Sequence, residues 1–489
     1  MILGYPLPMH HRTMTASLSI AARHALLAIL ALSALAALAL ATAAEAPADG
    51  TEAGSASGCL GCHKGIEPIA PEKSPMMVQV HMLGRLRGDP AGCVVCHGGN
   101  PQARTADQAH RGAPKVSKHC QCPTPEAFYP DPGALDVAEH TCGQCHRGYV
   151  ARLQRSLMAT EAGKINATIK TPAPPPGALW GNRSVEDSDG PEPAVGTSAY
   201  KRYMQALMET HPAAFATRLT ALPHPQNPTS TAHGTAEPLA RYWRACDGCH
   251  LHTEGRGASG EFRGRGCSAC HMPYAADARY AGADPTIDRR ELGHALTHTL
   301  QGTRKTQVHY AKSSHTGISM RTCNTCHGRE AAYLKTGLRP SQTVRRLDDR
   351  HHAQALRGQG LLLCQDCHTS NEVHGDGNIA VTLGAQAEVR CADCHGTEKA
   401  YPWELPLGFG DPFQPGADVK MKGPRGLAQH LQKVTSWWAT RYPKADGYLM
   451  SSRGNPLGNV VKEGRRVVLH SATGKDFEVP LFKKTKDAP

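Results

Sequence analysis

Aromatic residues are scarce in this 489-residue chain, where Phe, Trp and Tyr together make up 5%. Glycine (49) and proline (36) are plentiful instead. A chain of this length is long enough for two or three ordinary domains, but so little aromatic mass excludes an ordinary side-chain core of matching size. Long apolar runs are also missing, with one exception. Ala25–Leu40 is apolar over about sixteen residues, shorter than the roughly 20 that span a bilayer. Arg12 and Arg23 precede it and Ala41-Thr42-Ala43 follows. That order is the pattern of a secretory signal peptide, expected to occupy residues 1–44 and to be cleaved near Ala43 or Ala44, with Met14 as an alternative start. No cysteine stands at the cleavage site, which argues against a lipoprotein anchor. No later stretch is apolar enough to cross a membrane, so the mature chain is expected to have no integral membrane segment. The expectation is an exported protein, periplasmic first, with outer-membrane association or release from the cell as the other destinations.

Cysteine and histidine carry the information. Sixteen of the eighteen cysteines fall in eight copies of Cys-x-x-Cys-His. These are Cys59/Cys62/His63, Cys93/Cys96/His97, Cys142/Cys145/His146, Cys246/Cys249/His250, Cys267/Cys270/His271, Cys323/Cys326/His327, Cys364/Cys367/His368 and Cys391/Cys394/His395. The spacing is the attachment signal of a c-type haem: two thiols form thioethers and the adjacent imidazole meets the iron. Zinc knuckles and redox dithiols share Cys-x-x-Cys, but neither demands a histidine after every second cysteine nor an eightfold recurrence. The cofactor expectation is therefore eight covalently attached haems, and their porphyrins replace the missing apolar mass. Folding should depend on their insertion, and the apo chain should be largely disordered.

The formal charge of +12 invites a polyanion-binding reading. Sixteen haem propionates oppose it, and no nucleic-acid partner is expected. The excess is local, since residues 418–489 carry fourteen Lys/Arg against six Asp/Glu. That tail either steers an acidic redox partner or is a solvated basic face.

The motif histidines are unevenly spaced, and the widest gap, between His146 and His250, divides the chain. The expected regions are an N-terminal three-haem part (45–170), a Pro-rich haem-free insertion (171–237), a five-haem part (238–401) and a basic haem-free C-terminal region (402–489). Within the insertion, Tyr200, Tyr203, Leu207 and Phe215 predict a helix with a buried face over Ser198–Leu219. Leu427–Tyr442 also reads as a helix. Val460–Leu469 and Phe477–Phe482, around Glu463-Gly464 and Thr473-Gly474, read as a small antiparallel β unit. The fold class expected is mainly α, with short helices after the motifs, extensive irregular loops and this C-terminal β unit.

An iron between two histidines is closed to substrate, whereas one with an open sixth position can transform a small molecule. Seventeen histidines lie outside the leader and the motifs, enough to close every iron. The distal candidates are His81, His110, His252, His294, His298, His315, His351 or His352, and His374, each weighed against an ordinary surface or hydrogen-bonding histidine. His294 and His298, four apart, would share a helical face. Cys120 and Cys122 stand outside the pattern; an iron ligand, sulfur chemistry and a loop disulfide are the alternatives, the last favoured in an exported protein.

Cys93-Val-Val-Cys-His-Gly-Gly-Asn100, Ser156–Lys164, Cys364–Gly375 and Cys391–Trp403 resemble exported multihaem cytochromes of metal- and sulfur-respiring bacteria. The haem number also resembles the octahaem hydroxylamine oxidoreductase and tetrathionate reductase group. That second resemblance implies an irregular, largely helical fold wrapped around a haem chain, with one catalytic haem of modified ligation. Two departures stand against it. All eight motifs end in histidine, so a lysine-ended motif is absent, and spacing assigns no catalytic tyrosine role to Tyr401 or Tyr442. The reading is an electron-transfer protein of anaerobic respiration, working between a membrane quinol oxidoreductase, other cytochromes or an outer-membrane conduit. The alternative is an oxidoreductase of a small nitrogen or sulfur compound, whose catalytic residues the sequence does not name. Oligomeric state is not legible.

Overall fold

Cys-x-x-Cys-His places its two thiols and its imidazole at i, i+3 and i+4, which a helical turn brings to one face. Seven motifs adopt helical or 3₁₀ turns: α-helices at Cys59–Cys62, Cys93–His97, Ser268–His271, Met320–His327 and Cys391–His395, and 3₁₀ turns at Cys142–Gln144 and Cys364–Asp366. In the motifs beginning at Cys59, Cys142, Cys267 and Cys364, the histidine N–H donates to the first cysteine's carbonyl at 2.9 Å. The helix therefore lies on the motif itself rather than only after it. This computed structural model describes residues 58–111, 128–170, 172–223, 239, 242, 249–253, 255, 259–302, 308–310, 313–315, 317–327, 362–421, 425 and 442–483.

Longer helices brace the motifs. Pro75–Leu86 starts at Ser74, whose hydroxyl accepts from the Met77 N–H at 3.3 Å, a capping arrangement with proline at the first helical position. It packs tightly on the second motif: a Cβ at Gly92, which has φ +81°, would meet Val80 Cγ1 at 2.5 Å, so no larger residue fits there. Ser198–Thr210 buries Tyr200, Tyr203, Met204 and Leu207, the face that the sequence predicts. The helix ends sooner than expected, because Pro212 follows His211 and cannot continue it. Phe215 consequently lies in a strand, not in the helix. The helix expected over Leu427–Tyr442 lies almost wholly outside the described residues.

The described strands are β1 (Leu179–Gly181), β2 (Val185–Glu186), β3 (Phe215–Ala216), β4 (Arg218–Ala221), β5 (Val308–Tyr310), β6 (Ser313–His315), β7 (Ile379–Ala380), β8 (Gly447–Met450), β9 (Pro456–Glu463), β10 (Arg466–His470) and β11 (Asp476–Val479). β4 is central to β1 and β2, parallel to the first and antiparallel to the second. β3 pairs antiparallel with β7 in register Phe215↔Ala380, fastening the segment before the fourth motif to the loop after the seventh.

The C-terminal strands form one antiparallel sheet in the order β11-β10-β9-β8. The alternation read over Val460–Leu469 supplies its centre, and β8 adds a strand that the sequence did not announce. One face buries Leu449, Leu457, Val460, Val467, Leu469 and Val479 against Leu362, Val389, Cys394 and Trp403, residues in or beside the last two motifs. Buried carboxylates pin the contact. Asp366, inside the seventh motif, accepts from Ser471 Oγ and the Ala472 N–H, each at 2.7 Å. Asp393, inside the eighth, accepts from Arg425 Nη2 at 2.6 Å and from the Ser452 N–H at 3.1 Å. Glu388 accepts from Thr369 Oγ1 at 3.0 Å and Ser451 Oγ at 2.8 Å, and its burial pushes it up to about 6.

Candidate haem-binding centre

The motif turns meet one another out of sequence order. Cysteines of different motifs lie side by side: Cys59 and Cys93, Cys142 and Cys267, Cys249 and Cys326, and Cys323 and Cys364. Gln144 ties the third motif to the second, donating to the Val95 carbonyl at 3.1 Å and accepting from Arg87 Nη2 at 2.9 Å. The third motif thus touches the second and the fifth, and the sixth touches the fourth and the seventh.

The described motif cysteines differ in exposure. Cys62, Cys145, Cys367 and Cys391 are exposed, whereas the other described motif cysteines are half-buried. Backbone geometry explains Cys145 and Cys367. Each lies one residue past the end of a 3₁₀ turn, its N–H donating to the carbonyl of Cys142 or Cys364 at 3.2 Å. A 3₁₀ turn is tighter than an α-helical one, and it ends before the second thiol of the third and seventh motifs. The protein therefore half-encloses the first thiol of those two motifs and leaves the second at the surface.

Three motif imidazoles face a second histidine from a remote loop. His63 and His110 have ring centres 6.3 Å apart and are tilted by 35°. His97 and His298 lie 5.9 Å apart at 28°, and His271 and His374 lie 6.2 Å apart at 20°. Two metal–imidazole bonds of about 2 Å, plus the reach from each nitrogen to its ring centre, add to roughly 6 Å. The pairs therefore have the separation that two imidazoles would need to hold one iron between them. Their free nitrogens suit the same role, because a ligating histidine commonly engages its other ring nitrogen with a carbonyl or carboxylate. Nδ1 of His97 meets the Tyr129 carbonyl at 2.9 Å, that of His298 the Glu67 carbonyl at 2.8 Å, and that of His374 the Ser370 carbonyl at 2.9 Å. His63 Nδ1 meets Asp284 Oδ2 at 2.7 Å. His368 Nδ1 meets Glu372 Oε1 at 2.5 Å, and His395 Nδ1 the Pro480 carbonyl at 2.6 Å.

Burial keeps several of these rings neutral, as a metal ligand must be. Burial, with the partner histidine beside each ring, pulls His97 and His271 down to about 4, and burial does the same for His374. His368 moves the other way, raised by its bond to Glu372.

Residues 243–404, about a third of the chain and including five of the eight motifs, match the family model for outer membrane cytochrome MtrC/MtrF-like, domains II/IV. No curated protein and no solved structure matches the chain. The match supports a multihaem c-type cytochrome.

Of the distal candidates in this cytochrome, His110, His298 and His374 are brought to a motif histidine. His81 and His294 are not: each directs Nε2, the atom a metal would need, to a carboxylate, Glu72 at 3.5 Å and Glu291 at 3.2 Å. His294 and His298 do not share a helical face, because Ser268–His271 is the last helix before Met320–His327 among the described residues. His252 has its Nδ1 2.7 Å from Arg183 Nη1. His315 lies on β6, while His351, His352, Cys120, Cys122 and Cys246 fall outside the described residues. Tyr442 stacks on His470 and Tyr401 on Trp403; neither of these stacks involves a motif histidine.

Several contributors escape sequence reading. Phe128 stacks on His110 at 4.2 Å and on His97 at 6.1 Å, bridging the first two motifs. Tyr149 stands edge-on to His146 and His374, with Arg152 over its ring at 4.4 Å. Glu67 accepts from Tyr280 Oη at 2.8 Å and from the Ala283 N–H at 2.8 Å. It thereby holds the loop that carries both Asp284 and His298. Only Glu372 left a signal, since it lies four residues after His368.

Proposed function

We propose that the chain conducts electrons between respiratory partner proteins through eight covalently held haems, outside the cytoplasm. The thiols of all eight motifs would hold the groups, with His63, His97, His146, His250, His271, His327, His368 and His395 on the proximal side. His110, His298 and His374 would ligate from the distal side at the first, second and fifth motifs. The bound haems supply reversible one-electron redox chemistry. The chain's own residues fix the rings, exclude water and keep the ligating nitrogens unprotonated. The observation that carries this reading is the set of three imidazole pairs: two nitrogens at one iron leave no position for a substrate.

The contacts between motif turns support the same function, because they set the second motif beside the first and third, and the sixth beside the fourth and seventh. The match to outer membrane cytochromes favours an exported protein that hands electrons to an outer-membrane conduit or an acceptor beyond it. The test is the mass and haem content of the exported protein, followed by spectroscopic redox titration. Eight haems per chain, all reduced and reoxidised reversibly, are expected; fewer haems than motifs would overturn the octahaem reading.

A further inference from the structure

Six of the described motif and partner histidines divide into two groups by what accepts their Nδ1 proton. His97, His298, His374 and His395 give it to backbone carbonyls. His63 and His368 give it to carboxylates, Asp284 at 2.7 Å and Glu372 at 2.5 Å. Asp284 is fully buried and Glu372 nearly so, with side-chain exposures of 0% and 11%. Both carboxylates are themselves anchored. Asp284 Oδ1 accepts from the Thr286 N–H and hydroxyl, each at 2.8 Å, and Glu372 Oε2 accepts from the Glu388 N–H at 3.0 Å.

We propose that Asp284 and Glu372 are positioning residues that lower the reduction potentials of the haems held by His63 and His368, making the first and seventh motifs more reducing than those whose histidines meet carbonyls. The inference rests on the haem reading above. An anionic acceptor draws the Nδ1 proton further from the ring than a neutral carbonyl does, so the imidazole donates more strongly through Nε2. Stronger donation favours the ferric over the ferrous ion. The step concerned is the gain of one electron by the iron; the proton stays between ring and carboxylate, and no other reactant is needed. Electrons entering a partly reduced molecule then settle last at these two positions.

The experiment uses the full holoprotein with Asp284→Asn and Glu372→Gln, each titrated potentiometrically with optical and electron paramagnetic resonance detection. In each variant one component is expected to rise in midpoint potential while haem count and the remaining components stay unchanged, and Asp284→Glu or Glu372→Asp should restore much of the fall. The Thr286 hydroxyl lies 3.0 Å from His63 Nδ1 as well as 2.8 Å from Asp284 Oδ1, so it is left in place. If Asp284→Asn loses its haem, Asp284→Glu decides the matter for that site: haem retained at a potential close to the parent's is expected, and a raised potential with the haem intact overturns the proposal. Components that stay still with haem intact, or that all move together, overturn the proposal. A parent protein with fewer haems than motifs would instead defeat the underlying reading, and the haem count separates the two failures.

Discussion

His298 and His97 stand far apart in the chain, yet their rings lie 5.9 Å apart in the fold. Replacing His298 with alanine should convert one low-spin haem to high spin and leave the others unchanged; electron paramagnetic resonance of the ferric variant reads this directly. His81→Ala, which removes a ring directed at Glu72, should leave all the low-spin signals in place. The motif histidines were legible because the residue after a cysteine pair is fixed by the chemistry of attachment. The exposure of Cys145 and Cys367 was not, because a repeated spacing does not say whether its turn is α-helical or 3₁₀. The distal set was only half legible: abundance gave candidates, but pairing depends on loops that sequence distance does not relate. A second residue-scale consequence concerns Glu388. Its folded value of about 6 stands above the ordinary 4.5, so the native state holds that proton more tightly than the unfolded chain. Its contribution to stability is full below pH 4.5 and is lost as pH rises through about 6, amounting to about 2 kcal/mol. Denaturant titrations of Glu388→Gln should show a flatter stability profile across that window than the parent.

The C-terminal sheet was legible as strands around the Glu463-Gly464 and Thr473-Gly474 turns, although β9 and β10 each bury three consecutive residues and so pack on both faces. Its purpose was not legible. A basic, haem-free tail suggested a docking module, whereas its apolar face covers the last two motifs and the Pro480 carbonyl orients His395. Truncation after Trp403 is therefore expected to prevent accumulation of holoprotein. Normal haem content with slower, salt-insensitive partner reduction would point to docking instead. Within the sheet, Leu449→Ala should destabilise by about 2–5 kcal/mol as a core truncation, read from the denaturation midpoint. Arg425→Ala should cost about 3–5 kcal/mol, because it strands the Asp393 carboxylate without its buried partner. The helix Ser198–Thr210 was equally legible from its periodicity. The two-residue strands β3 and β7 were not, being too short to carry a pattern.

For the whole molecule, scarce aromatics and repeated haem motifs point to a fold assembled around cofactors rather than around a single apolar core. The described apolar clusters are small and dispersed, and contacts between motif turns join what the sequence separates. A chain of closed irons accounts for paired imidazoles, neutral buried rings and anchored Nδ1 atoms together. The most direct test is electron paramagnetic resonance of the ferric protein, with haem quantified and hydroxylamine, nitrite, sulfite and tetrathionate added in turn. Low-spin signals from every haem, unmoved by each addition, are the result expected of an electron conductor. A high-spin fraction near one eighth that shifts with one of these compounds would contradict it and mark an enzyme with one open iron.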